Sequence, residues 1–482
     1  MALLPKGKFG RSVALVAGGT ALGQVVSIIV SPLLTRLFSP DEFGIVAVYT
    51  SLVGIVAVVA TLSFHSAIPL ADEDQVAADV MFLAVLCAIG ASVLALVLAL
   101  LFRQRIAVLL GEPRLAPLLP LVPLGVLGAT LYETLSQWAV RKKNFGSLGK
   151  TTVAKGVLQA GAQLTAGALG SGALGLLVGR LIGVWSGTLR LARDAMQTDA
   201  TAIRGVRLHR LRAAISRFWR FPAYTLPAAA FNAISANTPA LLLSFFFGSA
   251  VTGMYALALR VLGLPFAVVG TSVEKVFYSA AVDAKRAGTL GETTLNVFEK
   301  LLAMTLPMTL LIAVAAPEGF AVLFGDKWRT AGVYMQWMCL RTGLTLVVFP
   351  LMPLLNVLNR QHAGTAFQAV NMIARFGSFA VGGIAGSALL AIALQGAATG
   401  VCWLGLLLYM LAISGTKPAR VAGIIGRKLA QSSLYVGAPL AAKLLGSHQL
   451  VVAGVAGICG LVFLAKLRRS GVLGELPASK LN

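Results

Sequence analysis

Five basic residues, Lys155, Arg180, Arg260, Arg341 and Arg375, each fall roughly eight to twelve residues inside a long apolar run, a depth at which an ionisable group costs at least about 2.5–3.5 kcal/mol and faces a cavity. A sixth, Arg36, lies near the end of the first such run. Against them stands one acid at comparable depth, Glu133, in LYETLSQW. An interior biased this way suits an anionic ligand, and phosphate or pyrophosphate pairs well with guanidinium forks. These six cations are therefore the candidate binders of an anionic headgroup. Glu133 is the candidate for coupling to protons or sodium; its alternative role is a structural hydrogen bond to Gln137 or a nearby arginine.

Other reactive constellations fail on context. NFGSLGKT (144–151) approaches the phosphate-cradling GxxxxGK[ST], but Asn144 replaces the first glycine and a membrane helix, not a strand, precedes it. SFHSAIP (63–69) and NRQHAG (359–364) carry histidines without a carboxylate or cysteine at ligand spacing. Cys87, Cys339, Cys402 and Cys459 all sit in apolar runs without a CxxC pair, so neither a disulfide framework nor a zinc site is expected. With no nucleophile elbow, no HExxH and no paired carboxylates, neither an enzyme nor a resident cofactor or metal is expected.

The elements that must hold these residues are membrane helices. Of 482 residues, 57% are hydrophobic and 12% charged, about half the charge of a soluble chain. The apolar runs are about 20 residues long and do not alternate, which fits helices crossing a hydrocarbon core and not barrel strands. An all-α polytopic protein of about fourteen (12–14) spans follows: 12–37, 43–71, 76–102, 115–140, 147–170, 172–194, 221–247, 251–274, 294–324, 331–358, 363–388, 391–414, 431–446 and 448–466. The thirteenth is short and carries Lys443. The run after MALLPKGKFGRS lacks a cleavage site, so it reads as a retained span.

The net charge of +23 reads as loop asymmetry, not nucleic-acid binding. RKKNFGSLGK (141–150), an arginine-rich stretch from Arg190 to Arg220, AKRAG (284–288), TKPARVAGIIGRK (416–428) and KLRRS (466–470) all fall on one side. The positive-inside rule makes that side, and both termini, cytoplasmic. SPDE, GSG, GSAVTG and GSHQ form the short outer turns. Within RLHRLRAAISRFWRF, the helical spacing of Leu208, Leu211, Ile215 and Phe218 among arginines predicts an amphipathic helix on anionic lipid.

Three weak repeats share an order. Phe38, Gly44 and Gly54 recur as Phe247, Gly253 and Gly263; LLGE (109–112) recurs as LFGD (323–326); the loop at 141–145 recurs as NRQH (359–362). They predict two homologous six-helix lobes, 1–194 and 221–414, joined by 195–220 and followed by a helix pair and tail, 415–482. Parallel repeats of this kind build transporters with the substrate between the halves. The glycine ladder Gly175, Gly179, Gly183, Gly187 predicts close packing of the sixth helix on a neighbour. Pro222, Pro227, Pro239, Pro265, Pro350 and Pro353 predict bends in the second half.

SPLLTRLFSPDEFGIVAVYTSL (31–52), GMYALALRVLGLP (253–265) and LFGDKW (323–328) resemble the bacterial polysaccharide flippases, the O-antigen (Wzx-type) and capsular or exopolysaccharide exporters of the multidrug/oligosaccharidyl-lipid/polysaccharide exporter superfamily. The resemblance spans residues 10–415 in layout and about 60 residues in motif. It implies a V-shaped, alternating-access transporter of the inner membrane. Its cargo would be an undecaprenyl-diphosphate-linked oligosaccharide. Membrane lipids and a polysaccharide polymerase are the implied partners. The acids of cation-exporting relatives are scarce here, which counts against the alternative of a multidrug exporter. A lipid-linked sugar polymerase or ligase would need a large polar outer loop.

Overall fold

A computed structural model describes residues 29–469 together with Gly23 and Val26. Most of the first expected span, 12–37, lies outside the described residues. Its end is α1, Ser31–Leu37. The described chain is helical and separates into two compact units that divide between Ala256 and Leu257. Nine of its stretches are long and apolar enough to cross a membrane. Large apolar side chains on their outer faces stay exposed, Leu101 at 70% and Ile384 at 87%. A surface this apolar belongs in lipid.

In the first unit, SPDE becomes a helix start. Ser39 caps α2 (Pro40–Ala60), with Pro40 in its first turn and Glu42 closing a capping box. The second expected span therefore ends early: after Ala60 the chain turns through a 3-10 segment, Phe64–Leu70. The helices α3 (Asp74–Leu109), α4 (Val122–Arg141), α5 (Phe145–Ala168) and α6 (Gly172–Thr198) follow. The glycine ladder does what its spacing suggests. A Cβ on Gly175, Gly179 or Gly183 would press on Ala166, Gln163 or Gln159 of α5. The core beneath α2 and α4 contains Val48, Tyr49, Leu115, Val126 and Leu177.

The arginine-rich stretch contains α7, Leu208–Phe218. Its apolar side is only partly available to lipid: Leu211 and Phe218 are buried in the unit's own core with Trp138 and Met81, whereas Ile215 is exposed. Helical spacing identified the apolar face but not its occupant.

Two expected loops are helical. GSAVTG lies within α8, Leu226–Arg286, which breaks only at Gly248 (φ 81°, ψ −179°). TKPARVAGIIGRK is absorbed into α13, Pro418–Leu444, which has 27 residues instead of the short span expected at 431–446. Val421 and Ile424 explain the extension, because both are buried in the core of the second unit. That unit also contains α9 (Leu290–Phe324), α10 (Arg329–Val348), α11 (Gln361–Ile384), α12 (Ala388–Ile413) and α14 (Gln449–Arg469). Pro350 and Pro353 fall in a 3-10 turn and a short helix after α10, and Pro222 lies in a π-turn before α8.

The repeated glycines meet. A Cβ on Gly44 would overlap the Ser249 carbonyl, and one on Gly253 would overlap the Pro40 carbonyl. Each glycine thus faces the carbonyl four residues before its counterpart. The repeated LLGE and LFGD also share a purpose: Gly111 (φ 68°) and Gly325 (φ 99°) end α3 and α9 in a backbone region open to glycine.

Candidate substrate-binding site

The first unit gathers two of the expected cations. Arg180 projects from α6 one position off the glycine ladder, and is exposed where its glycine neighbours are buried. Lys155 on α5 is half-buried, its ammonium 4.3 Å from the centre of the Tyr132 ring. That ring polarises toward the cation without neutralising it. Tyr132 is steadied by its hydroxyl, 3.3 Å from Thr152 Oγ1. Lys155 lies within electrostatic reach of both Arg180 and Glu133. Arg180 in turn lies within reach of buried Tyr49, whose hydroxyl donates to the Leu121 carbonyl at 2.8 Å. Helices α2, α4, α5 and α6 therefore bring two cations and two phenols together. Both hydroxyls are engaged within the unit, so what this set offers an oxyanion is the charge of Lys155 and Arg180.

Glu133 is exposed and accepts a hydrogen bond from Gln137 at 2.8 Å. This is the structural contact open to it from sequence, and it leaves the carboxylate near both Lys155 and His65. Arg36 is exposed in the last turn of α1, where its charge complements the carbonyl end of the helix.

In the second unit Arg260 (α8), Arg341 (α10) and Arg375 (α11) are each half-buried. Helix α12 packs against both α10 and α11 and sets two of these. Gly396 lies against the Trp337 carbonyl, a Cβ on Gly400 would stand 4.0 Å from the Arg341 Cα, and Ala391 fills the space beside Gly382. Phe367 and Trp403 close the α11–α12 seam edge to face at 4.7 Å.

The near-match to a phosphate loop has a local explanation. Asn144 accepts from the Ser147 N–H at 3.2 Å and caps α5, so the segment is a helix start. The preceding RKK is pinned by acids. Lys142 sits between Asp74 (2.6 Å) and Asp199 (2.7 Å), and Arg141 reaches Asp74 at 3.0 Å. Burial pushes the Asp199 carboxyl up, but hydrogen bonds from Lys142, Thr198 and Trp138 outweigh it and hold the group below its ordinary 3.8. Its contribution to stability is thus complete above pH 3.8 and is lost as pH falls through the lower folded value. Detergent-solubilised protein should melt at progressively lower temperature as pH is taken below 3.8, and Asp199→Asn should flatten that dependence. Equal slopes for the two proteins would remove the assignment.

Sequence reasoning passed over two ionic clusters. Arg114 donates to Asp41 at 3.0 Å, to Ser249 at 2.8 Å and to buried Glu112 at 2.9 Å, while Ser249 donates to Asp41 at 2.8 Å. Asp41, in the first turn of α2, is therefore a partner for Arg114. Lys443 pairs at 3.3 Å with Glu318, which is buried in α9. The lysine that weakened the thirteenth span thus has its counter-charge 125 residues earlier in the chain.

Residues 33–332 match the model of the polysaccharide biosynthesis protein family. The chain belongs to that family. This member is 26% identical over 371 residues, 74% of this chain and 70% of the relative, to the succinoglycan biosynthesis transport protein ExoT of Rhizobium meliloti (strain 1021). Among solved structures it is similar to the lipid II flippase MurJ in an inward closed conformation (TM-score 0.71, 12% identity, 95% of this chain and 99% of that one). It is also similar to an inward-facing multidrug resistance MATE family transporter (TM-score 0.60, 15% identity, 83% and 96%). The family member is thus a multi-pass membrane protein with a flippase-type transporter fold, related to transporters of polysaccharide biosynthesis.

Proposed function

We propose that this protein flips an undecaprenyl-diphosphate-linked oligosaccharide across the bacterial inner membrane, with both termini cytoplasmic, to supply surface polysaccharide such as O-antigen, capsule or exopolysaccharide. The observation that carries the reading is Arg180 exposed beside Lys155, whose ammonium rests on an aromatic ring. A diphosphate is the ligand that such a pair leaves room to neutralise. Arg260, Arg341 and Arg375 would supply the corresponding charges of the second lobe, with Arg36 at the rim and Glu133 as the coupling carboxylate. The two lobes are taken as 1–194 and 221–414, joined by 195–220 and extended by 415–482. Membrane lipids flank the path, and a polymerase consumes the product on the far side. Family membership and the kinship with a polysaccharide transport protein support the cargo class.

The test is a deletion strain. Lipid-linked repeat units should accumulate on the cytoplasmic leaflet and return to the periplasm on complementation. Normal periplasmic delivery without the protein ends the proposal.

A further inference from the structure

Helix α7 carries two neighbouring stripes at the same spacing. Leu211, Ala214 and Phe218, three and four residues apart, are buried in the core of the first unit with Phe64 and Trp138. The next stripe, one residue on, is Arg212, Ile215 and Trp219, because the backbone keeps its helical winding through Trp219. It is open: Ile215 is 47% and Trp219 50% exposed. Trp219 also pairs with Tyr224, itself 69% exposed, at 5.9 Å between ring centres. An apolar edge ending in two amphipathic rings suits the headgroup level of a bilayer.

The charge beside this edge is uncompensated. Among the described residues, Arg204, Arg207, Arg210, Arg212 and Arg220 are exposed and make no ion pair, whereas Arg217, on the far side of the helix, pairs with Asp72. That pair and the buried stripe hold α7 in place, and Gln75 of α3 donates to the Ala202 carbonyl just before it at 3.3 Å. The open stripe is therefore presented by a fixed helix. On a helix floating freely on a bilayer, Leu211 and Phe218 would enter the lipid. Here both are committed to the protein, and the second stripe is left to face the bilayer.

We propose that this stripe binds an anionic phospholipid at the rim of the first unit. Its acyl chains lie against Ile215 and Trp219, and the guanidinium groups of Arg212 and Arg220 hold its phosphate. Charge decides the occupant. An arginine fork matches a phosphate bidentately, and basic groups at a membrane surface favour acidic over zwitterionic lipid. The proposal does not rest on the flippase reading, because it concerns the resting protein whatever its cargo.

Trp219 supplies the probe. Full-length protein is placed in nanodiscs of mixed phosphatidylglycerol and phosphatidylcholine, with bromine on the acyl chains of one lipid or, in equal amount, of the other. The Trp219 signal is the difference from Trp219→Phe. Brominated phosphatidylglycerol should quench it more strongly than brominated phosphatidylcholine, by about twofold or more, and the excess should shrink as salt is raised. Arg212→Gln combined with Arg220→Gln should abolish the excess at an unchanged melting temperature, since both side chains are exposed and make no ion pair. Equal quenching by the two lipids, or an excess that survives in the double variant, would overturn the proposal. No quenching by either would mark a face for a soluble partner and overturn it as well. Displacement of phosphatidylglycerol by an equimolar amount of undecaprenyl diphosphate would assign the stripe to the cargo instead.

Discussion

On the proposed flippase function, Arg180→Gln is expected to cut export of the lipid-linked oligosaccharide on the order of ten- to a hundredfold. A hydrogen bond to a charged group contributes about 1.5–3 kcal/mol, and each 1.4 kcal/mol is tenfold. The side chain is exposed on α6, so its loss opens no void in the core. The amount of folded protein in the membrane should therefore stay at the wild-type level. Arg180→Lys keeps the charge but loses the planar fork and should retain part of the activity. Lys155→Met should fall in the same range as Arg180→Gln, since it removes the neighbouring charge while leaving an apolar stem against Tyr132. Export is read as surface polysaccharide normalised to transporter abundance. Full export by Arg180→Gln and Lys155→Met would detach these residues from the headgroup.

The second large effect is on the fold. Gly44→Val should reduce the yield of monodisperse protein severely and lower its melting temperature. Overpacking a core costs about 1–3 kcal/mol, occasionally more, when side chains can yield. Here the obstacle is the Ser249 carbonyl, which is main chain. Gly253→Val meets the Pro40 carbonyl and should behave alike. Gly54→Ala is the control: its Cβ would stand 3.0 Å from the Asn237 amide, a side chain able to turn aside. It should therefore be mild. A Gly44→Val protein that melts with the wild type would show that the two segments do not pack in this way.

Helical class and the tight face of α6 were legible because they depend on local periodicity and residue size. The limits of α8 and α13 were not. GSAVTG is rich in turn residues, yet it runs as helix with a single break at Gly248. TKPARVAGIIGRK is charged, yet Val421 and Ile424 draw it into the core. In both cases packing overrode local composition. The cation pair Lys155–Arg180 was legible as two isolated charges, but its convergence, and the part played by Tyr132, depend on how α4, α5 and α6 pack. Glu318 escaped notice because a lone acid near the end of an apolar run acquires meaning only from Lys443, far along the chain. The shared offset of Gly44 and Gly253 was visible as a pattern. That they touch each other was not.

That reciprocal contact has a consequence for genetics. In an ordinary core, a substitution to a larger residue can be rescued by trimming a neighbouring side chain. At Gly44 and Gly253 the neighbour is a carbonyl oxygen, which no codon change can shorten. Second-site revertants of either valine variant should therefore not map to the side chains touching the new residue. They should map to positions that let one segment shift as a body, such as Gly248 or the Arg114–Asp41–Ser249 network.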